Sequence, residues 1–153
     1  MQHRQAIDGA KYAALIGAAT LAADNTPVTV DIRDFQCVEI DLSIGVGGIT
    51  FSGANKIEFV LTAADYDPVS GAVGAFSNVV TGEVYIDGVA VTVTNGIIKS
   101  LVAAHATATP YRVEYIGQKG ALQLLADFSG THGTGTPISA ICRRSRGRSA
   151  PAA

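Results

Sequence analysis

The stretch Val38-Glu39-Ile40-Asp41-Leu42-Ser43 decides the fold. Its apolar side chains recur at every second position, and acids and a serine fill the places between. That is the period of a half-buried strand, because successive side chains of extended backbone point to opposite faces. The same alternation returns in Lys56-Ile57-Glu58-Phe59-Val60-Leu61, in Val28 to Ile32 and in Tyr111-Arg112-Val113-Glu114-Tyr115. Further strands are expected at Ile49–Phe51, Asn78–Ile86, Val89–Thr94, Ile97–Val102, Ala121–Phe128 and Ile138–Cys142. Turn signals separate them. Asp87-Gly88 and Asn95-Gly96 are two-residue hairpin turns, since a type I′ turn needs positive φ at both central residues. Gly45, Gly47 and Gly48 mark a loop or bulge, and Ala63–Ser77, with Asp65, Asp67, Pro68, Gly71 and Gly74, reads as a surface loop. Short strands at this spacing predict an all-β fold, an antiparallel β-sandwich or barrel of jelly-roll type.

The remaining segments set the expected boundaries. Residues 1–20 are Ala-rich, and alanine favours helix while Gly9 and Gly17 oppose a long one. A short helix or an extended N-terminal arm laid on a neighbour is expected there. The sandwich domain is expected over 21–142 and a basic flexible tail over 143–153. Of 11 basic residues, 4 lie after Cys142, whereas all 13 acids precede Arg143, so the body carries a net charge of −6. An acidic body is a poor match to a polyanion, so nucleic acid is not expected as a partner.

With 153 residues, 48% hydrophobic and 16% charged, the chain is sized for one domain and too apolar for disorder. No apolar run approaches the roughly 18 residues of a membrane helix, and Ala13–Leu21 lacks the flanks of a signal peptide, so no membrane partner is expected. Cys37 and Cys142 form no metal-ligand spacing. Cys37, inside a strand pattern, is expected as a buried inert thiol, with a disulfide left open.

The motifs that could carry chemistry are weak. His3, His105 and His132 have no acid or nucleophile at useful spacing and read as surface or turn histidines. Gly130-Thr131-His132-Gly133-Thr134-Gly135-Thr136 lacks the lysine of a phosphate loop and runs into Pro137, so it reads as a tight loop shaped by small residues. Asp65 and Asp67 lack calcium-loop spacing. Tyr111 and Tyr115 read as cross-strand packing, and Glu58 and Glu83 fall within strand patterns. No catalytic, cofactor-binding or metal residue is assigned, no cofactor is expected, and the chain does not read as an enzyme.

The order of segments adds a resemblance. Leu21-Ala22-Ala23-Asp24 leads to Val30-Asp31-Ile32-Arg33-Asp34-Phe35, then Val38 to Gly45, then Lys56 to Leu61 with Ala64-Asp65-Tyr66-Asp67. Tyr111 to Lys119 and Asp127 to Ile138 follow. From about Leu21 to Ile141 the chain resembles a family of small virion-associated proteins of tailed bacteriophages and prophages, encoded among head genes. The resemblance implies a structural virion protein that decorates and stabilises the capsid shell as a cement protein. It implies the major capsid protein as partner, a homo-oligomer (trimer or similar) on the particle, and a location on the capsid surface after assembly in the host cytoplasm. The arginine-rich end departs from the apolar C-terminus of that family. Two alternatives stand beside it: a tail or neck component of the same virion (tube, terminator or fibre-base protein), and a carbohydrate-binding β-sandwich module, which the absence of Trp disfavours.

Overall fold

The computed structural model describes residues 10–145, which fold as β-strands with no helix. In chain order the strands are β1 (Lys11–Leu21), β2 (Val30–Asp31), β3 (Cys37–Ile44), β4 (Lys56–Ala64), β5 (Ser77–Asn78), β6 (Val84–Ile86), β7 (Val89–Ala90), β8 (Ile97–Leu101), β9 (Thr109–Tyr115), β10 (Ala121–Ser129) and β11 (Thr136–Ser145). They form two antiparallel sheets. The six-stranded sheet runs β1-β11-β3-β9-β6-β7; the five-stranded one runs β2-β10-β4-β5, with β8 beside β5 along the same flank of β4.

Alternation places the core. In β3, Val38, Ile40, Leu42 and Ile44 are buried; in β4, Ile57, Phe59 and Leu61; in β10, Leu122, Leu124 and Ala126; in β11, Ile138, Ala140 and Cys142. These inner rows join in one apolar cluster between the sheets, which makes the fold the expected β-sandwich. Cross-strand neighbours pair large with small: Phe59 lies opposite Ala126, and Ala63 opposite Leu122. Each fully buried Leu, Ile or Phe contributes about 1.5–3 kcal/mol relative to exposure.

Both hairpin turns take the expected shape. Asp87 and Gly88 have φ of 51° and 80°, and Asn95 and Gly96 have 52° and 79°.

Several expectations are corrected. The Ala-rich segment is neither helix nor free arm where it is described: it is β1, paired with β11 from Lys11↔Arg144 to Leu21↔Thr136. The adjacent buried pair Leu15 and Ile16 mimics a helical pattern, but a register shift between Ala14 and Ile16 turns both toward the core. Among the described residues the sandwich therefore takes in Lys11–Leu21, ahead of the bound expected at residue 21, and runs on in β11 past Cys142 to Ser145. Arg143 and Arg144 belong to β11 rather than to a tail; Arg146 and Arg148 lie outside the described residues, as does His3. The strand expected over Asn78–Ile86 is split, because Gly82 at φ 96° turns the chain from β5 in one sheet to β6 in the other. Of Val89–Thr94 only Val89–Ala90 is strand, and Ile49–Phe51 is loop, although Phe51 is buried.

Candidate functional site

The same parity that builds the core also builds the outer face of the six-stranded sheet. Glu39, Asp41 and Ser43 of β3 point outward, in register with Arg143, Ile141 and Ser139 of β11 and with Glu114, Arg112 and Pro110 of β9. One half of this face is charged, with three acids and two arginines, and both arginines are paired. Arg143 Nη1 donates to Glu39 Oε2 at 2.7 Å, and Arg112 pairs with Glu114 at 2.7 Å. The other half carries no ionisable side chain. There Ala18, Ser43, Thr109, Pro110, Pro137 and Ser139 wall an open, largely apolar groove of about 370 Å³. Its floor depends on glycine at one point. A Cβ on Gly45 would stand 2.8 Å from Pro137 Cβ, and Gly45 N–H donates to Pro137 O at 2.7 Å.

His105 stands behind this groove as a brace. Its Nδ1 donates to Gly45 O at 2.9 Å, and its own carbonyl accepts from Gly47 N–H at 3.0 Å. His132 is a turn histidine, one of the two expected settings, with Gly135 N–H donating to its carbonyl at 2.8 Å, but it is buried. Its Nε2 donates to Ser129 O at 2.8 Å, and its ring meets the edge of Phe128 at 4.7 Å. It thereby pins the loop in which Gly130, Gly133 and Gly135 take positive φ, the shape expected of those small residues. Among the described residues the hydrogen-bond partners of both rings are backbone carbonyls, not hydroxyls, thiols or carboxylates.

The other candidates are dispersed. Asp65 pairs with Lys119, at the end of the molecule where Arg33 stacks over Tyr66 at 3.6 Å and pairs with Asp31 at 2.6 Å. The Arg33 side chain holds the Asp31 carboxyl below its ordinary range. The Asp67 carboxylate accepts from Val69 and Ser70 N–H at 2.8 and 2.6 Å, which lowers its pKa too. Those bonds and the Tyr66↔Val73 bridge fold the expected loop into a small hairpin with Val69 94% exposed at its tip. Among the described residues no three His, Cys, Asp or Glu side chains converge. Glu58 pairs with Lys56 at 2.8 Å, and Glu83 accepts from Val80 N–H at 3.0 Å. Tyr115 is buried and Tyr111 half-buried under Lys99.

Cys37 is exposed, against expectation, while Cys142 is fully buried; both are free thiols. Val38 and Ile40 face inward, so the residue before them must face out. Burial pushes the Cys142 thiol up to about 11. Arg144, the last inward residue of β11, donates to Asp31 O and lies over the Phe35 ring at 5.1 Å.

Two features were not anticipated. The groove needs the register of four strands, which no single segment displays. The other is the position of β1 as an edge strand, with no strand paired on its outer side among the described residues; its only signal is the run Gly17-Ala18-Ala19, small residues with no charge.

Comparison of the chain with protein families, with curated proteins and with solved structures finds no match.

Proposed function

We propose that this chain is a structural protein of a tailed-bacteriophage virion that decorates the capsid shell and stabilises it as a cement protein. The observation that carries the reading is the groove walled by Ala18, Ser43, Pro110, Pro137 and Ser139, on the half of the outer face that has no ionisable side chain. Such a surface suits adhesion: it admits a neighbouring backbone or apolar side chain without stripping water from charge. The segment resemblance supplies the partner, the major capsid protein. A protein that binds only the assembled shell stabilises it by linkage, and weak contacts suffice when many copies sit at fixed spacing.

A second reading places the chain in the tail or neck. The exposed hairpin closed by Tyr66 and Val73, with Val69 bare at its tip, favours it, because projecting hairpins can build rings.

Imaging purified virions by electron cryomicroscopy, with copy number from quantitative gels, decides between them. The cement reading expects many copies across the shell and particles that lose their genome at lower temperature when the gene is deleted. Copies confined to one vertex or to the tail, or absence from the virion, sink it.

A further inference from the structure

We infer that the outer edge of β1 is a self-association site, at which β1 pairs antiparallel with β1 of a second copy of this chain.

The other sheet edges are short or already covered. The last strand of the six-stranded sheet, β7, has 2 residues. In the five-stranded sheet, β2 pairs with β10 at Ala121 and Leu122. Beyond it the side chains of Asn25 and Asp24 take over, meeting Leu124 O, Ala126 N–H and Phe128 N–H. By contrast β1 runs for 11 residues, about 36 Å of edge, with no strand on its outer side among the described residues. Open edges of that length are templates for pairing, and proteins that stay monomeric blunt them with charge, proline, bulges or a covering loop; the bulges of β1 fall between Ala14 and Ala19 and leave regular ladder on either side of them. Here Lys11 is the one charged residue, and Ala14, Gly17, Ala18 and Ala19 are small and exposed.

The irregularities in β1 fix a register. Register shifts fall between Ala14 and Ile16 and again between Ile16 and Ala19. Two shifts restore parity, so Tyr12 and Ala14 on one side, and Ala18 and Thr20 on the other, share the outer face. Antiparallel pairing centred on Ile16 then sets Tyr12 against Thr20 of the second copy and Ala14 against Ala18. The irregular stretches meet each other in the middle, leaving regular ladder at both ends. Tyr12, 64% exposed in one copy, gains a cross-strand neighbour.

Charge selects the antiparallel direction. One end of β1 is basic, with Lys11 beside Arg144; the other leads through Leu21 to Asp24. Antiparallel pairing brings the basic end of each copy toward the acidic end of its mate, whereas parallel pairing would set Lys11 beside Lys11. A two-fold contact is closed: it joins both six-stranded sheets into one and leaves no long edge for a third copy.

The inference does not rest on the virion reading, and it is tested on the purified full chain. Size-exclusion chromatography with light scattering is expected to give twice the 15.7 kDa chain mass. In a Cys37→Ser background, Tyr12→Cys with Thr20→Cys is expected to yield a covalent dimer on oxidation, and Tyr12→Cys alone is not. Ala14→Lys, on the exposed face, is expected to weaken the dimer about tenfold while leaving the circular dichroism unchanged. A monomer at every concentration overturns the inference, as does a dimer that fails to cross-link or is indifferent to Ala14→Lys. A chain that is monomeric alone and pairs only with shell subunits also overturns it, while leaving the cement reading intact.

Discussion

The side-chain amide of Asn25 stands in for a strand beside Leu124. Its Nδ2 donates to Leu124 O at 3.1 Å, while its Oδ1 accepts from Ala126 N–H at 2.7 Å. These are the bonds a neighbouring backbone would make on β10, and β2 is too short to make them. Asn25→Ala leaves a carbonyl and an amide of β10 without these partners in a half-buried place, at a cost of about 1–3 kcal/mol. Denaturant titration should show that loss, and hydrogen exchange at Ala126 should quicken. Unchanged exchange there would mean that the amide is protected by something else.

Gly48 tests how closely two loops are joined. A Cβ at this position would stand 2.0 Å from Gly135 O, a backbone atom that cannot swing aside. Gly48→Ala should therefore destabilise by about 2–4 kcal/mol. Gly53→Ala is the control: nothing lies within 4 Å of its added methyl, and a change within about 0.5 kcal/mol is expected. Equal effects in the two variants would refute the close approach.

The two thiols should react very differently. Cys37 is exposed, and Cys142 is buried with its pKa raised to about 11. At neutral pH a thiol reagent should label one cysteine quickly and the second only after unfolding. Cys37→Ser should leave the native protein unreactive. Two fast equivalents in the native wild type would contradict the burial of Cys142.

Alkali should destabilise the fold before it alters the native sheets. Burial raises Cys142 from an ordinary 9.0 to about 11, and burial raises Tyr115 above 10.0. The folded state thus keeps protons that the unfolded chain has begun to release. This stability is complete below about pH 9 and is lost as pH rises toward and through the folded values. Denaturant midpoints should fall across that range, and Cys142→Ala should remove the first part of the fall. A flat profile would count against the buried thiol.

Alternation made most of the sandwich readable. Val38 to Ser43 and Ile57 to Leu61 needed only parity, and Asp87-Gly88 and Asn95-Gly96 needed only the φ that their turns demand. The errors arose where a local pattern has two physical solutions. Leu15 and Ile16 side by side suit a helix face, yet a bulged edge strand buries them equally well. Asn78 to Ile86 is apolar enough for one strand, but Gly82 hands it from sheet to sheet. Parity would have placed Cys37 outside; apolar character alone placed it inside. The groove between Pro110 and Pro137 could not be read at all, since it exists only once β1, β3, β9 and β11 are in register.

The ladder from Lys11↔Arg144 to Leu21↔Thr136 joins the first described strand to the last. During synthesis β1 leaves the ribosome more than a hundred residues ahead of β11, the strand it pairs with. Completion of this sheet is therefore the most non-local event in folding, and topology of this kind folds slowly. In that interval the flank of β1 that β11 will occupy is also open, and unpaired strand edges of this kind are where incompletely folded chains are prone to associate.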